Sequence, residues 1–242
     1  MTLGIDVSSI FSEMIMAAST TDPVQKKMVY HYLCTYANEK SDLALLCINT
    51  LQKDCKDQDP MVRGLALRSL CSLRLVNMVE YILTPVRQGL KDVSDYVRRT
   101  AVLGISKLYA LDPHTVREGD MVDILYSLLS DPSASVINNV ILALNEVLHN
   151  EGGMAINKKI VFYLLNRMNT TKDFNEWTQA TVLDLVSTYK PESQQLMFDI
   201  MNLLNDRLKH NNAGVVLATA KLFLNYTKDI PQVHEEVKAA KL

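Results

Sequence analysis

Apolar residues recur along this chain at one fixed set of steps. Counting from Val62, the residues 3, 4, 7, 8 and 11 positions later are apolar or small, and the same steps recur from Val97, Val136 and Val215. Weaker copies begin at Gln25 and Thr178. Steps of this kind place residues on one stripe of an α-helix. The pattern therefore predicts six helices, each with one buried face.

The six stripes begin 37, 35, 39, 42 and 37 residues apart, which is too far for one helix per unit. A unit near forty residues has room for a second helix and cannot bury its stripe alone. We therefore predict an all-α fold, an α-solenoid of about six helix pairs. The predicted repeats are residues 7–37, 42–74, 77–110, 119–149, 156–189 and 193–228.

Each stripe belongs to the second helix of its pair. We predict first helices at about 7–19, 42–54, 77–91, 119–130, 156–168 and 193–210, and second helices at about 23–37, 60–74, 95–110, 134–149, 174–189 and 212–228. Aspartate precedes proline at 22–23, 59–60 and 131–132. An aspartate accepts hydrogen bonds from the N–H groups of a first helical turn, which have no partner within the helix. Proline suits that turn because it lacks an N–H group, which would have no partner there. These dipeptides are therefore predicted helix starts.

The two ends of the chain resemble the interior of an array. Residues 229–242 begin another amphipathic segment without a polar closing helix, and residues 1–4 lead into a helix that has no preceding partner. Solenoids shield their terminal stripes with capping repeats. We therefore expect residues 1–242 to form a single solenoid segment that is truncated at both ends.

Composition adds little except an uneven charge. Hydrophobic residues make up 48% of the chain, charged residues 21%, and the net charge is −2. Residues 60–110, however, carry eight Lys/Arg against three Asp/Glu. The four cysteines lack zinc-ligand spacing and are predicted to be reduced, buried thiols. No apolar run approaches the roughly 18 residues that a membrane-spanning helix needs.

No pattern predicts catalysis or a cofactor. Phosphate-binding, nucleophile-elbow and zinc-protease motifs are absent, and the five histidines are scattered. The Asp54, Asp57 and Asp59 cluster lacks the glycine and closing glutamate of a calcium loop, so we predict that it caps a helix. Trp177 is predicted to be a packing anchor. We therefore predict no catalytic, metal or cofactor-binding residue.

The basic segment has two interpretations. Arg63 and Arg98 each follow an anchor valine, and Asp57 and Asp92 each lie six residues before them. This repeat predicts an internal ladder of ion pairs between successive units. The remaining cations form either a solvated face or a patch for anionic lipid or an acidic partner, and they are Arg68, Arg74, Arg87, Lys91, Arg99 and Lys107.

Specific runs of residues carry a family resemblance. The period and the run Asp59-Pro60-Met61-Val62-Arg63 are typical of HEAT/armadillo repeats. Residues 1–8, 25–30, 54–68 and 96–99 resemble the trunk of β-adaptins, the large β subunits of heterotetrameric clathrin-type adaptor complexes. Gly64 with residues 69–74, and residues 174–177 with 198–204, are most similar to the β subunits of the fourth adaptor complex.

The resemblance implies a non-enzymatic scaffold of a vesicle coat. Its expected partners are a second large adaptin, a medium and a small subunit and an Arf-type GTPase, with no nucleic acid and no cofactor. Its expected place is the cytosolic face of trans-Golgi and endosomal membranes. In the family, the GTPase docks on an early first helix, which corresponds to residues 42–49 here. Leu45 and Ile48, one turn apart, are either an exposed contact pair or core residues.

Family β chains run to several hundred residues, so functions of their linkers and appendages are not assigned here. Two other classes remain as alternatives. A nuclear-import armadillo carrier holds peptides along an Asn/Trp ladder, whereas this chain offers only Asn139 on a stripe and one tryptophan. The other alternative is a regulatory scaffold of an enzyme complex.

Overall fold

The computed structural model describes residues 4–73, 79–117 and 119–228, and within these ranges the chain is helical, with no strand. The thirteen α-helices of this part are α1 Phe11–Ala17, α2 Pro23–Tyr36, α3 Ser41–Asp54, α4 Pro60–Leu70, α5 Val79–Gly89, α6 Asp95–Leu111, α7 Pro113–Arg117, α8 Met121–Leu128, α9 Ala134–Val147, α10 Lys158–Thr170, α11 Glu176–Thr188, α12 Gln194–Leu204 and α13 Ala213–Thr227. Three short 3₁₀ turns accompany them, at Ser8–Ile10, His149–Glu151 and Asn205–Lys209.

Twelve of these helices match the predicted first and second helices, most within a few residues at each end. The pattern missed α7, a short helix between the third and fourth pairs. It also predicted one helix over 193–210, whereas α12 ends at Leu204 and the chain continues as a 3₁₀ turn. A 3₁₀ turn keeps nearly helical spacing, so side-chain periodicity does not distinguish it from an α-helix.

Two of the three predicted aspartate caps are confirmed. Asp22 accepts a hydrogen bond of 2.8 Å from the backbone of Val24, and Asp59 accepts one of 2.8 Å from Met61. The third prediction is wrong in position, because α9 begins at Ala134 and Asp131 accepts from Ser133 before the helix starts. That aspartate closes a turn instead of capping a helix.

The described chain divides into two compact units. The first comprises Met1–Leu128 with Ala143–Glu151, and the second comprises Leu129–Leu142 with Gly152–Leu242. In the first unit α4 packs against α3 and α6, and α2 packs against α4. In the second unit α11 packs against α13. Second helices of successive pairs therefore lie side by side within each unit.

The predicted stripes form the core of each unit. On α4, Val62, Ala66 and Leu70 are at most 6% exposed. On α13, Val215 and Leu222 are fully buried. Burial of such stripes is the main favourable term in folding, at about 25 cal/mol per Å² of apolar surface. Among the described residues, no helix combines the length and hydropathy of a membrane span.

Candidate partner-binding surfaces and their internal supports

An ion pair joins two successive repeats of the first unit. Arg63 lies one residue after the α4 anchor, and Asp92 lies in the loop before α6. The Nε and Nη2 atoms of Arg63 each donate a hydrogen bond of 2.8 Å to the Asp92 carboxylate. The Arg63 side chain bonded to it lowers the pKa of Asp92 below its usual value, and burial partly opposes this. The predicted ladder of ion pairs between repeats therefore includes this pair, in which two guanidinium nitrogens of Arg63 contact one carboxylate.

Within a repeat, however, the arginine binds carbonyl groups of the backbone. Arg63 Nη1 donates to the carbonyls of Asp57 and Gln58, both at 2.9 Å. Arg98 Nη1 makes the equivalent contacts, at 2.9 and 2.8 Å, to the carbonyls six and five residues before it. These loop carbonyls lie outside the regular hydrogen bonding of a helix, and the arginines supply their donors. The six-residue spacing was a correct signal, but Asp57 contributes its carbonyl oxygen to Arg63.

A third cation at the same register is buried with a carboxylate. Lys26 follows the anchor Gln25 on α2, and its ammonium pairs with the Asp54 carboxylate at the end of α3. The Tyr30 hydroxyl donates to the same oxygen. Burial, reinforced by the Asp54 carboxylate, raises the pKa of Tyr30. We did not predict this cluster, because the lysine and the aspartate lie 28 residues apart in sequence.

The α3 face predicted as a GTPase contact is only partly as expected. Leu45 is 47% exposed, whereas Ile48 is 3% exposed. The exposed pair predicted from the sequence is therefore wrong at Ile48, which packs in the core beside Ala44. The second exposed apolar residue of this face is Leu46, at 61%.

The six cations of the predicted basic patch have different surroundings. Arg87 forms an ion pair of 2.9 Å with Asp120, with both side chains about half exposed. Arg99 lies 5.2 Å from the centre of the Tyr96 ring, Lys91 is exposed at the end of α5, and Arg74 lies outside the described residues.

Arg68 and Lys107 share a neighbour, the thiol of Cys34. Burial raises the pKa of that thiol to about 11, and the charges of Lys107 and Arg68 act in the opposite direction. These two cations, from α4 and α6, therefore lie on a common surface.

The remaining candidate chemistry is structural. Over the described part of the chain, no group of three His, Cys, Asp or Glu side chains is placed to hold a metal ion. The Asp57 carboxylate accepts from the backbone of Asp59, which itself caps α4.

Trp177 is 83% exposed, so its prediction as a packing anchor is wrong. Its place immediately before the stripe of α11 gave the misleading signal.

Comparison with known proteins identifies the family. The family described as the adaptin N-terminal region matches residues 1–240. The chain belongs to this adaptin family. The mouse AP-4 complex subunit beta-1 is 50% identical over 98% of this chain, and the beta-adaptin-like protein A of Arabidopsis thaliana is 49% identical over the same share. The human AP-1 complex subunit beta-1 is 33% identical over 93% of it.

These relatives are much longer than this adaptin chain, which spans 32% of the mouse protein, 29% of the Arabidopsis protein and 24% of the human one. The identities make the chain a β-adaptin segment of the AP-4 type, and they confirm the resemblance expected from the sequence.

A structural neighbour supports the fold. A designed armadillo repeat protein, described as in complex with peptide (KR)4, has a TM-score of 0.53 and covers 89% of this chain and 99% of its own. Its sequence identity is 15%, so the likeness concerns the fold alone. The helix pairs and this neighbour together confirm the all-α, HEAT/armadillo-like solenoid.

Proposed function

We propose that this adaptin chain is part of a non-enzymatic scaffold subunit of an adaptor coat complex that acts in vesicle-mediated protein transport. The observation that carries the proposal is the 50% identity to an AP-4 β subunit over 98% of the chain. The proposed partners are a second large adaptin and the medium and small subunits. The proposed location is the cytosolic face of trans-Golgi and endosomal membranes, with residues 1–242 acting as one trunk segment.

The internal supports suit a scaffold. Arg63 and Asp92 tie neighbouring repeats together without using an exposed face, so the outer side chains are left for partners. Stacked repeats present many such side chains along one surface. The alternative of a carrier for basic peptides fits less well, because α2 and α4 carry several cations and no carboxylate.

Affinity capture from cell extract tests the scaffold proposal. The tagged 242-residue chain, shown to be folded by circular dichroism, is expected to recover medium, small or large adaptor subunits by mass spectrometry. Recovery of a catalytic subunit, or of nuclear-import cargo, in place of adaptor subunits would contradict it.

The GTPase contact is proposed at the exposed residues of α3. Leu45 and Leu46 present apolar surface on neighbouring positions, as a hydrophobic contact requires. A Leu45→Asp/Leu46→Asp variant is expected to lose binding to GTP-loaded Arf, measured by pull-down. A Leu217→Asp/Leu224→Asp variant serves as the matched control, because these leucines of α13 are 71% and 66% exposed. Equal binding by both variants would refute the contact.

A further inference from the structure

A proline interrupts the hydrogen bonding of α5, the first helix of the third repeat. Pro85 lies inside this helix, which runs from Val79 to Gly89, and its side chain is buried. Proline has no N–H group, so it cannot donate to the carbonyl four residues before it in the helix. That carbonyl belongs to Tyr81. The sequence of α5 therefore leaves the Tyr81 carbonyl without the donor that an α-helix normally supplies.

The preceding repeat supplies a donor to this carbonyl. Gln52 lies near the end of α3, and its Nε2 atom donates a hydrogen bond of 3.0 Å to the Tyr81 carbonyl oxygen. Both helices belong to the first unit, where α3 packs against α1 and α4, and α5 packs against α4 and α6. The hydrogen bond therefore joins the first helices of two successive repeats directly, in addition to the packing that both make against α4.

A second amide makes the same kind of contact in the second unit. Asn169 lies near the end of α10, and its Nδ2 atom donates a hydrogen bond of 3.0 Å to the Leu203 carbonyl oxygen of α12. Helix α12 ends at Leu204, and the last carbonyls of an α-helix lack the donors that the regular pattern would supply. In both units, an amide at the end of one first helix thus binds a carbonyl of the next first helix where regular helical hydrogen bonding is interrupted.

The surroundings of the Gln52 contact indicate a local effect. Gln52 is partly exposed, and the Tyr81 side chain is 48% exposed. Water can replace a lost donor at a site of this kind, so the hydrogen bond adds little to global stability. It acts on the part of α5 before the proline, residues 79–84, because the missing N–H group at Pro85 leaves this part with fewer helical hydrogen bonds to the rest of α5.

We infer that Gln52 is a strap between the second and third repeats, and that Pro85 makes the strap possible by freeing the Tyr81 carbonyl. With the strap in place, residues 79–84 are held against the end of α3. Without it, this part of α5 opens locally more often, since segments with few hydrogen bonds and an exposed face open at low free energy. The strap is a conformational device that sets the relative position of two first helices.

The strap also fixes the spacing of two exposed side chains. Leu45 lies seven residues before Gln52, which is about two helical turns, so both residues lie on the same side of α3. Leu45 is 47% exposed and Tyr81 is 48% exposed. A partner that contacts both α3 and α5 would meet these side chains already ordered, which reduces the entropic cost of binding. The inference requires neither the other coat subunits nor the proposed GTPase contact.

Hydrogen exchange of the 242-residue chain, resolved by NMR, measures the opening of α5. The probes are the amides of Leu83 and Thr84, which directly precede Pro85. Gln52→Met keeps the length of the side chain and removes its donor. We expect this variant to speed the exchange of both amides about fivefold, the factor that the loss of one typical hydrogen bond gives. Amides in the middle of α6 should change less than twofold, which distinguishes a local strap from a general loss of stability.

A proline variant tests why the strap exists. Pro85→Ala restores an N–H group at position 85, so the helix itself can bind the Tyr81 carbonyl, and Pro85→Ser does the same if circular dichroism shows that the alanine variant is unfolded. In this background Gln52→Met is expected to change the exchange of Leu83 and Thr84 less than twofold. An equal acceleration with and without Pro85 would overturn the role of the proline.

The matched control is Asn49→Met, which replaces an exposed amide of α3 one turn before Gln52. It is expected to change the exchange of Leu83 and Thr84 less than twofold. Acceleration by Asn49→Met equal to that by Gln52→Met would overturn the strap, and so would unchanged exchange in Gln52→Met itself. A failure of the adaptor capture experiment would leave these results unaffected.

Discussion

Gly104 offers the sharpest test of the packing described for the first unit. It lies buried on the stripe of α6, and a Cβ atom added there would be 2.9 Å from Cys71 Sγ and 3.3 Å from Val86 Cγ2. Replacing a helical glycine by alanine gains about 1 kcal/mol in helix propensity. Overpacking a well-filled core costs about 1–3 kcal/mol. We therefore expect Gly104→Ala to be neutral or destabilising by up to about 2 kcal/mol, and Gly104→Leu to cost more.

The close sulfur atom allows a double-mutant cycle. Cys71→Ala removes the Sγ atom and leaves the Cys71 Cβ at 3.9 Å, an ordinary contact distance. In that background Gly104→Ala is expected to keep its propensity gain and lose most of its steric cost. The coupling free energy should then be about 1–2 kcal/mol, within the range seen for residues in direct contact.

Urea unfolding followed by circular dichroism gives the free energies, and a single isodichroic point checks whether the whole chain unfolds in one transition. Leu103→Ala is the control, because this neighbour on α6 is 45% exposed and should change stability by less than about 0.5 kcal/mol. Effects of Gly104→Ala and Cys71→Ala that add within about 0.5 kcal/mol would refute the contact. An unchanged midpoint for Gly104→Leu would refute the burial of the position.

Three further predictions concern buried charges and thiols. Asp54→Ala should cost about 3–5 kcal/mol in urea unfolding, because it leaves the Lys26 ammonium buried and unpaired, whereas exposed Asp42→Ala should cost little. The lowered pKa of Asp92 implies that the stability from its pair with Arg63 is present above pH 4 and is lost as the pH falls through the folded-state pKa. The free energy of unfolding of an Asp92→Asn variant should therefore depend less on pH in that range. Burial raises the pKa values of the four cysteines to about 11 or about 12. Their thiols should therefore react with a disulfide reagent at pH 8 at least about tenfold more slowly in the folded chain than in urea. Equal rates would contradict their burial.

The sequence was most informative where one helix carries one stripe. On α6, for example, periodicity selected Val97, Ala101 and Leu108, and all three are at most 2% exposed. Periodicity reports on local geometry, because residues on a stripe belong to a single helix. Pairing between repeats, as between Lys26 and Asp54, depends on distances that the period alone does not contain.

The α3 helix shows how an apolar segment misleads such an argument. Residues 43–48 are all apolar, so hydrophobicity alone does not choose a face. The buried residues Ala44, Cys47, Ile48 and Leu51 nevertheless follow the steps 0, 3, 4 and 7 of the other stripes. Applying that rule to α3 would have placed Ile48 in the core and left Leu45 outside.

The residue that follows the anchor has the same role on α4, α6 and α11, and its replacement on α9 explains a contact in the second unit. Arg63, Arg98 and Gln179 each donate to the carbonyl five residues earlier, at 2.9, 2.8 and 2.9 Å, and so satisfy the loop that precedes the helix. At the same position α9 carries Ile137, which has no donor to offer. The carbonyls five and six residues before it accept instead from Arg167 of α10, at 2.8 and 2.6 Å. A neighbouring helix can thus supply a donor to a loop carbonyl, as Arg167 of α10 does for the loop that precedes α9.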